Sequence, residues 1–142
     1  MPTIELDMMI AFVNRADKLH SIAVELFEKI VSGKLVNVAI PASAYMEYEL
    51  VLRSRGYSND TILSDIDAFR RLKNLGEIPT TSEIITKAIR LRRKHHITYF
   101  DSLHAASALS HDKTIISTDK VYKEIPELKA ISPKEALEQS HL

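Results

Sequence analysis

The sequence contains no cysteine among its 142 residues. Disulfide bonds, thiolate zinc sites and cysteine nucleophiles are therefore excluded. Long apolar runs are also missing, because charged residues interrupt every hydrophobic stretch well before the roughly 20 residues that a membrane span requires. Neither sign of charge dominates: nineteen basic residues balance nineteen acidic ones, so no global field favours nucleic acid or an anionic membrane. We expect a soluble, cytoplasmic protein without a membrane partner, whose function depends on local clusters of side chains.

Glycine is scarce, and its three positions divide the chain. Gly33, Gly56 and Gly76 each follow a helix-like pattern, where a left-handed residue ends a helix with least strain. Short apolar strand patterns alternate with amphipathic helix patterns between them. The predicted strands are 2–6, 34–40, 75–79, 113–118 and 128–131. The predicted helices are 8–16, 19–32, 42–55, 60–73, a helix from 80–83 to about 92–96, and 102–110.

This alternation predicts parallel crossover units. We expect an α/β fold with a central parallel sheet of four to five strands and helices on both faces. The fully apolar segment 113–118 is typical of an interior strand. With 45% hydrophobic and 27% charged residues, a chain of this length has the balance of one domain spanning 1–142.

Four acids stand next to predicted element ends or on a predicted helix: Asp7, Glu47, Asp101 and Asp119. Each has a structural explanation. Asp7 could cap the first helix, and Asp101 could cap the helix 102–110 or complete a capping box with Thr98. Asp119 could be a turn residue, and Glu47 could lie on a solvated helix face.

Taken together, the four acids favour a different interpretation. The carboxyl ends of parallel strands and the helix starts that follow crossovers lie at one edge of an open sheet. Glu47 shares a helical face with Ser43, Ala44, Leu50 and Val51, which directs its carboxylate along the core-facing side. Carboxylates about 4 Å apart repel by roughly 4 kcal/mol at an effective dielectric near 20, and a divalent cation removes that repulsion. Oxygen ligands suit Mg²⁺ or Mn²⁺.

The motifs around these acids resemble a known family. They are the acid after the first strand, "SAYMEYELVL" with Glu47, "ITYFDSLHAASAL" with Asp101, and "TIISTDKVYKEIPELKAI" with Asp119. In order and spacing they resemble the four acidic motifs of PIN-domain ribonucleases, above all the VapC-like toxins of toxin–antitoxin pairs. The resemblance runs from about residue 3 to residue 132.

This resemblance implies a metal-dependent endoribonuclease. Asp7, Asp101 and Asp119 would bind one or two Mg²⁺ or Mn²⁺ ions, and Glu47 would act as a ligand or as a water-orienting base. The implied partners are an RNA substrate, a small antitoxin protein and a second copy of the chain in a homodimer.

Other side chains are candidates for substrate contact: Ser117, Thr118, His104, and the cations Arg53, Arg55, Arg92, Arg93 and Lys94. Some of these have an alternative. The cations at the end of the helix that begins at 80–83 could simply complement its macrodipole, and His104 could be a half-buried structural histidine.

Two features leave alternatives open. Family members usually have Thr or Ser and then a polar residue after the first Asp, whereas this chain has Met8 and Met9. A PIN-fold module that binds RNA or a protein partner without turnover is therefore the alternative. Glu49 rivals Glu47, because two residues along a helix turn by about 200° and both cannot face one site.

Overall fold

The structure is a computed structural model that describes residues 2–139. Its strands are β1 (Thr3–Ile4), β2 (Ala39–Pro41), β3 (Gly76–Ile78), β4 (Thr114–Ile116) and β5 (Lys129–Ile131). Its helices are α1 (Leu6–Val13), α2 (His20–Val31), α3 (Ala42–Ser54), α4 (Asn59–Arg70), α5 (Ser82–Lys94), α6 (Tyr99–His111) and α7 (Pro133–Gln139), with a 3-10 helix at Lys120–Glu124. No helix within 2–139 has the length and apolarity needed to cross a bilayer.

The five strands form one parallel sheet in the order β3-β2-β1-β4-β5. This confirms the predicted α/β fold and strand number. β4 lies between β1 and β5, as expected of an apolar interior strand. The order reverses direction at β1, which pairs with β2 on one side and β4 on the other. That reversal is the point at which open α/β sheets bind ligands.

Alternate strand residues face two hydrophobic cores. Ile4, Ile40 and Ile116 pack into one core with residues of α1, α2 and α3, whereas Ala39 and Ile115 pack into the other with α5 and α6. Each fully buried isoleucine contributes about 1.5–3 kcal/mol relative to an exposed one. Helices therefore cover both faces of the sheet.

The beginning of the chain departs from the prediction. β1 ends at Ile4 and α1 begins at Leu6, whereas the sequence predicts a strand over 2–6 and a helix from 8. The reason is a cap: a Glu5 carboxylate oxygen accepts the Asp7 backbone N–H at 2.9 Å. Asp7 is therefore not the N-cap that its sequence position allows; it lies in the first turn of the helix.

Two other boundaries differ for identifiable reasons. β2 begins at Ala39 rather than at 34, because Asn37 has φ 59° and a left-handed residue interrupts an extended strand. α6 begins at Tyr99 rather than at 102, because the Thr98 side chain accepts the backbone N–H of Asp101 at 3.4 Å. Thr98 is thus the N-cap of α6, and Asp101 occupies the acidic position of the predicted capping box. The other alternative, in which Asp101 itself is the N-cap, is wrong.

Candidate functional site

The site lies at the carboxyl ends of β1 and β4, on either side of the point where the strand order reverses. Glu5 and Asp7 follow β1, and the segment 117–119 follows β4. Parallel pairing of Ile4 with Ile116 brings these two segments side by side. The first turns of α3 and α6 begin at the same edge of the sheet and complete the surroundings of the site.

Asp7 joins α1 to the segment after β4. Its Oδ2 accepts the Thr118 backbone N–H at 2.7 Å, the Thr118 hydroxyl at 2.8 Å and the Ser117 hydroxyl at 3.4 Å. Its Oδ1 accepts the Met8 N–H at 2.8 Å. Burial raises the pKa of Asp7 although these hydrogen bonds oppose the shift. The hydrogen bonds therefore fix the side chain of Asp7, but they do not fully offset the cost of burying its negative charge.

Glu5 is a member of the site that sequence reasoning missed. Its side chain is only 5% exposed, and its Oε2 accepts the Ser117 hydroxyl at 2.8 Å. Burial and the neighbouring charge of Asp7 raise the pKa of Glu5 to about 8. The negative charge of Asp101 contributes to the same shift. A charged residue inside "TIEL", in the apolar segment predicted as the first strand, is the signal that could have identified it.

Asp101 approaches the site from α6. The hydroxyl of Tyr122 donates to its Oδ1 at 3.2 Å and also lies within hydrogen-bonding reach of Glu5. Burial raises the pKa of Asp101, with a smaller contribution from the negative charge of Asp119. Tyr122 is fully buried, and its pKa is raised by burial and by the charges of Glu5 and Asp101. Tyr122 thus links two acids and is a second residue that the sequence did not reveal.

Asp119 caps the short 3-10 helix. Its Oδ1 accepts the Val121 N–H at 3.0 Å, and its own N–H donates to the Ser117 hydroxyl at 3.0 Å. The turn role predicted for Asp119 is therefore confirmed, and its side chain remains exposed. Its negative charge still contributes to the raised pKa of Asp101. Asp119 therefore lies beside the more buried acids, at the surface of the site.

Glu47 and His104 form the other half of the site. The Nε2 of His104 lies 2.8 Å from Glu47 Oε1, and potential ligand atoms of Glu47, Asp101 and His104 all lie within 4.8 Å of one another. His104 is 0% exposed, so the expectation of a half-buried histidine is wrong. Glu49, the rival acid, pairs instead with Arg53 at 3.3 Å on the surface.

The predicted acids are brought to one edge but not into one tight cluster. Within residues 2–139, the group of mutually close ligand atoms contains Glu47 and Asp101 together with His104. Asp7 and Asp119 lie outside this group. The negative charge of Asp7 helps to raise the pKa of Glu5, and that of Asp119 helps to raise the pKa of Asp101. The site is therefore a row of acids with Asp101 near its centre.

The predicted substrate contacts have different surroundings. Ser117 is buried and holds Glu5, whereas Thr118 is exposed while bonded to Asp7. Arg93 is exposed at the end of α5. Arg92 faces α6 instead: it donates to the Ser102 hydroxyl at 2.6 Å, and its guanidinium lies 5.0 Å from the centre of the Tyr99 ring.

The residues present fit a divalent cation. Glu5, Asp7 and Asp101 are partly or fully buried, and in the described part of the chain no lysine or arginine forms an ion pair with them. Burial raises the pKa of each of these three carboxyl groups, which a bound cation would oppose. An oxygen-rich, negatively charged donor set is the chemistry that Mg²⁺ and Mn²⁺ require.

Comparison with known proteins identifies the family of the chain and several proteins with a similar fold. A model of the PIN domain matches residues 8–128, whereas no curated protein sequence matches. The fold is similar to that of VapBC2 from Rickettsia felis bound to a promoter DNA fragment, with 18% identity, a TM-score of 0.70 and coverage of 92% of this chain and 96% of that one. It is also similar to Mycobacterium tuberculosis VapC20, a toxin that cleaves the sarcin-ricin loop, with 16% identity, a TM-score of 0.69 and coverage of 89% and 95%. FitAcB from Neisseria gonorrhoeae shares 13% identity, with a TM-score of 0.67 and coverage of 94% and 99%.

Proposed function

The chain belongs to the PIN domain family, and from this premise we propose that it is a metal-dependent endoribonuclease that hydrolyses phosphodiester bonds of RNA. The observation that carries the proposal is the row of acids at the reversal point of the sheet, in which Glu5, Asp7 and Asp101 are partly or fully buried and form no ion pair with a lysine or arginine of residues 2–139. Such a row is unfavourable in an isolated fold, because charged groups lose solvation on burial. It is favourable where the acids hold a divalent cation.

Each acid has a role in this proposal. Glu47 and Asp101 would hold one or two Mg²⁺ or Mn²⁺ ions, and Asp7 and Asp119 would complete the ligand set. When bound, such an ion would supply positive charge that activates a water for attack and stabilises the leaving oxygen. Glu47, whose Oε1 lies 2.8 Å from His104 Nε2, would act as a ligand or as a water-orienting base. Tyr122 keeps Asp101 directed into the site.

Met8 and Met9, which stand where the family usually has a hydroxyl and a polar residue, have a structural role in this chain. Both are fully buried in the core formed with α2 and α3. The hydroxyls that accompany Asp7 come instead from Ser117 and Thr118. The polar surroundings of the first acid are therefore supplied from the other strand, which supports an active site over a module that only binds RNA or protein.

The experiment that tests the proposal is cleavage of single-stranded RNA by the purified protein with Mn²⁺, compared with Asp101→Asn. Because Thr98 caps α6, the substitution removes a ligand charge and spares the cap. We expect cleavage to require metal and Asp101→Asn to abolish it while the melting temperature stays within a few degrees. Retained RNA binding without any cleavage by the natural chain would favour the binding module instead.

We further propose a toxin role with a small antitoxin as partner. The structural neighbours include VapBC2, a toxin–antitoxin complex from Klebsiella pneumoniae and FitAcB, and each is similar to this chain over nearly its whole length. Such a toxin would act in the cytoplasm, where its RNA substrate is. Co-purification with the product of the adjacent reading frame, and relief of growth inhibition by that product, would test the role.

A homodimer is the proposed assembly. Large apolar side chains are exposed on adjoining elements α3, α5 and α6, namely Met46, Leu50, Ile85, Ile89 and Tyr99. Several of them line a cavity of about 490 Å³ between these helices. Exposed apolar surface of this kind is typical of an interaction site. Sedimentation of the purified chain, compared with Leu50→Lys, would test whether this face joins two copies.

A further inference from the structure

His104 occupies an unusual position for a histidine. It is fully buried, yet both ring nitrogens have partners: Nδ1 lies 2.8 Å from the Ser43 hydroxyl and Nε2 lies 2.8 Å from Glu47 Oε1. Its ring is stacked on Phe100, with centroids 6.2 Å apart and planes inclined by 25°. Three contacts therefore fix the orientation of one ring.

We propose that His104 is a positioning residue that holds the Glu47 carboxylate in the metal site, with Ser43 fixing the tautomer that does so. The proposal rests on the function proposed above. A serine hydroxyl that donates to Nδ1 leaves the ring proton on Nε2, from which it is donated to Glu47. Histidines commonly use one nitrogen in this way to determine what the other can do.

The arrangement connects two helices across the site. Ser43 and Glu47 lie one turn apart on α3, and Asp101 and His104 lie one turn apart on α6. The hydrogen bonds of His104 therefore determine how Glu47 from one helix faces Asp101 from the other. No hydrogen bond from within residues 2–139 reaches the second oxygen of Glu47, so that oxygen is available to a ligand.

Direct ligation of a metal by His104 is the competing interpretation. The potential ligand atoms of Glu47, Asp101 and His104 are close enough to share an ion. However, both nitrogens already have partners at 2.8 Å, and ligation would break one of these bonds in a fully buried position. A buried donor or acceptor left without its partner is strongly unfavourable. The geometry therefore favours orientation of Glu47 over ligation by His104.

Glu49 lies on the same helix as Glu47 but has no histidine partner. Its side chain is 47% exposed and pairs with Arg53, at 3.3 Å, one turn away. Its charge matches that of Glu47, but within residues 2–139 it forms no hydrogen bond to a buried side chain. Glu49→Gln is therefore a matched control, because it removes a carboxylate from α3 without touching the contacts of His104.

The test measures Mn²⁺ binding without RNA, by electron paramagnetic resonance of the free ion. Asn at position 104 is too short to reach Glu47, whereas the longer Gln can place an N–H donor near the position of Nε2. We expect His104→Asn to weaken Mn²⁺ binding by about tenfold to a hundredfold, the usual effect of removing a group that orients a ligand. We expect His104→Gln to bind within about threefold of the natural chain, and Glu49→Gln to bind equally.

The outcomes separate this inference from the proposed function. If the natural chain binds Mn²⁺ and cleaves RNA while His104→Asn binds Mn²⁺ equally well, the positioning role is overturned and the nuclease stands. If the natural chain binds no Mn²⁺, both fail. A directly coordinated imidazole nitrogen in the electron spin echo spectrum would make His104 a ligand and also overturn the inference.

Ser43→Ala provides a second variant should His104→Asn fail to fold. It removes only the hydroxyl that faces Nδ1. We expect a loss of Mn²⁺ affinity of about threefold to tenfold with no new nitrogen coordination. Unchanged affinity in Ser43→Ala, with the melting temperature preserved, would contradict the proposed chain of hydrogen bonds from Ser43 to Glu47.

Discussion

The two ends of the sheet differ in how much negative charge they bury. A cavity of about 730 Å³ lies at the amino ends of β2 and β3, between Asn37, Asn74, Gly76 and His111. It is open, and its one described histidine contact is an exposed hydrogen bond from His111 to the Asn37 carbonyl. The carboxyl end has the row of buried acids instead. Desolvated charge, and not empty volume, distinguishes the end where chemistry is expected.

The largest difference between the two ends should appear in RNA cleavage. Glu47→Gln at the carboxyl end removes a charge that the proposed metal needs, and we expect cleavage to fall by about a hundredfold or more, comparable with the loss of one preorganised electrostatic group. His111→Ala at the amino end should leave the rate within about twofold. Initial rates on one RNA under identical Mn²⁺ concentrations measure both, and equal losses would remove the distinction between the two ends.

Stability should depend on pH through the carboxyl end. The pKa of Glu5 is raised from 4.5 to about 8, so the native state binds more protons than the unfolded state between these values. The contribution of Glu5 is therefore fully present below about pH 4.5 and is lost as pH rises through about 8. Asp7 and Asp101 shift in the same direction.

Thermal melting of the metal-free protein between pH 5 and pH 9 measures this dependence. We expect Glu5→Gln to flatten the decline and to raise stability at pH 8.5 by a few kcal/mol, since a shift of one pKa unit corresponds to about 1.4 kcal/mol. Mn²⁺ should stabilise the natural chain more at pH 8 than at pH 6, because it favours the ionised acids. A Glu5→Gln curve parallel to that of the natural chain would contradict the assignment.

A smaller effect is expected from the hydroxyl that holds Asp7. Thr118→Val removes the 2.8 Å hydrogen bond to Asp7 Oδ2 but preserves the backbone N–H bond at 2.7 Å. We expect a loss of about 1 kcal/mol in the free energy of unfolding, at the lower end for a hydrogen bond to a charged group because Thr118 is exposed. Urea unfolding measures it, and Thr118→Ser should restore most of the loss.

The smallest effect belongs to the amino end. His111→Ala removes an exposed hydrogen bond of 3.1 Å, and surface substitutions of this kind usually change stability by less than about 0.5 kcal/mol. We expect urea midpoints that coincide with those of the natural chain within error. A loss above about 1.5 kcal/mol would mean that the open cavity is held by more than its surface contacts and would weaken the contrast drawn above.

The fold was largely accessible from the sequence, because alternation of apolar strands and amphipathic helices is a local pattern. The position of the acids at one edge followed from topology in the same way. Local patterns did not reveal the role of Glu5, since its burial depends on Ser117, 112 positions away. The burial of His104 likewise depends on Ser43, 61 positions away. Such long-range pairs are invisible to periodicity.

Capping chemistry misled the sequence reasoning at Asp7 and Asp101. Both residues were plausible caps, but Glu5 and Thr98 perform those roles. Asp7 and Asp101 lie instead in the first turns of α1 and α6, where a negative charge is favourable at a helix start.

The 3-10 helix after β4 has a consequence for how the site opens. Asp119 caps this helix and Tyr122, which donates to Asp101, lies within it. An opening fluctuation that unwinds this one turn therefore releases both residues in a single cooperative event. Amide hydrogen exchange at Val121, whose N–H bonds to Asp119, reports that event directly, and its protection factor limits the fraction of molecules that carry an assembled site.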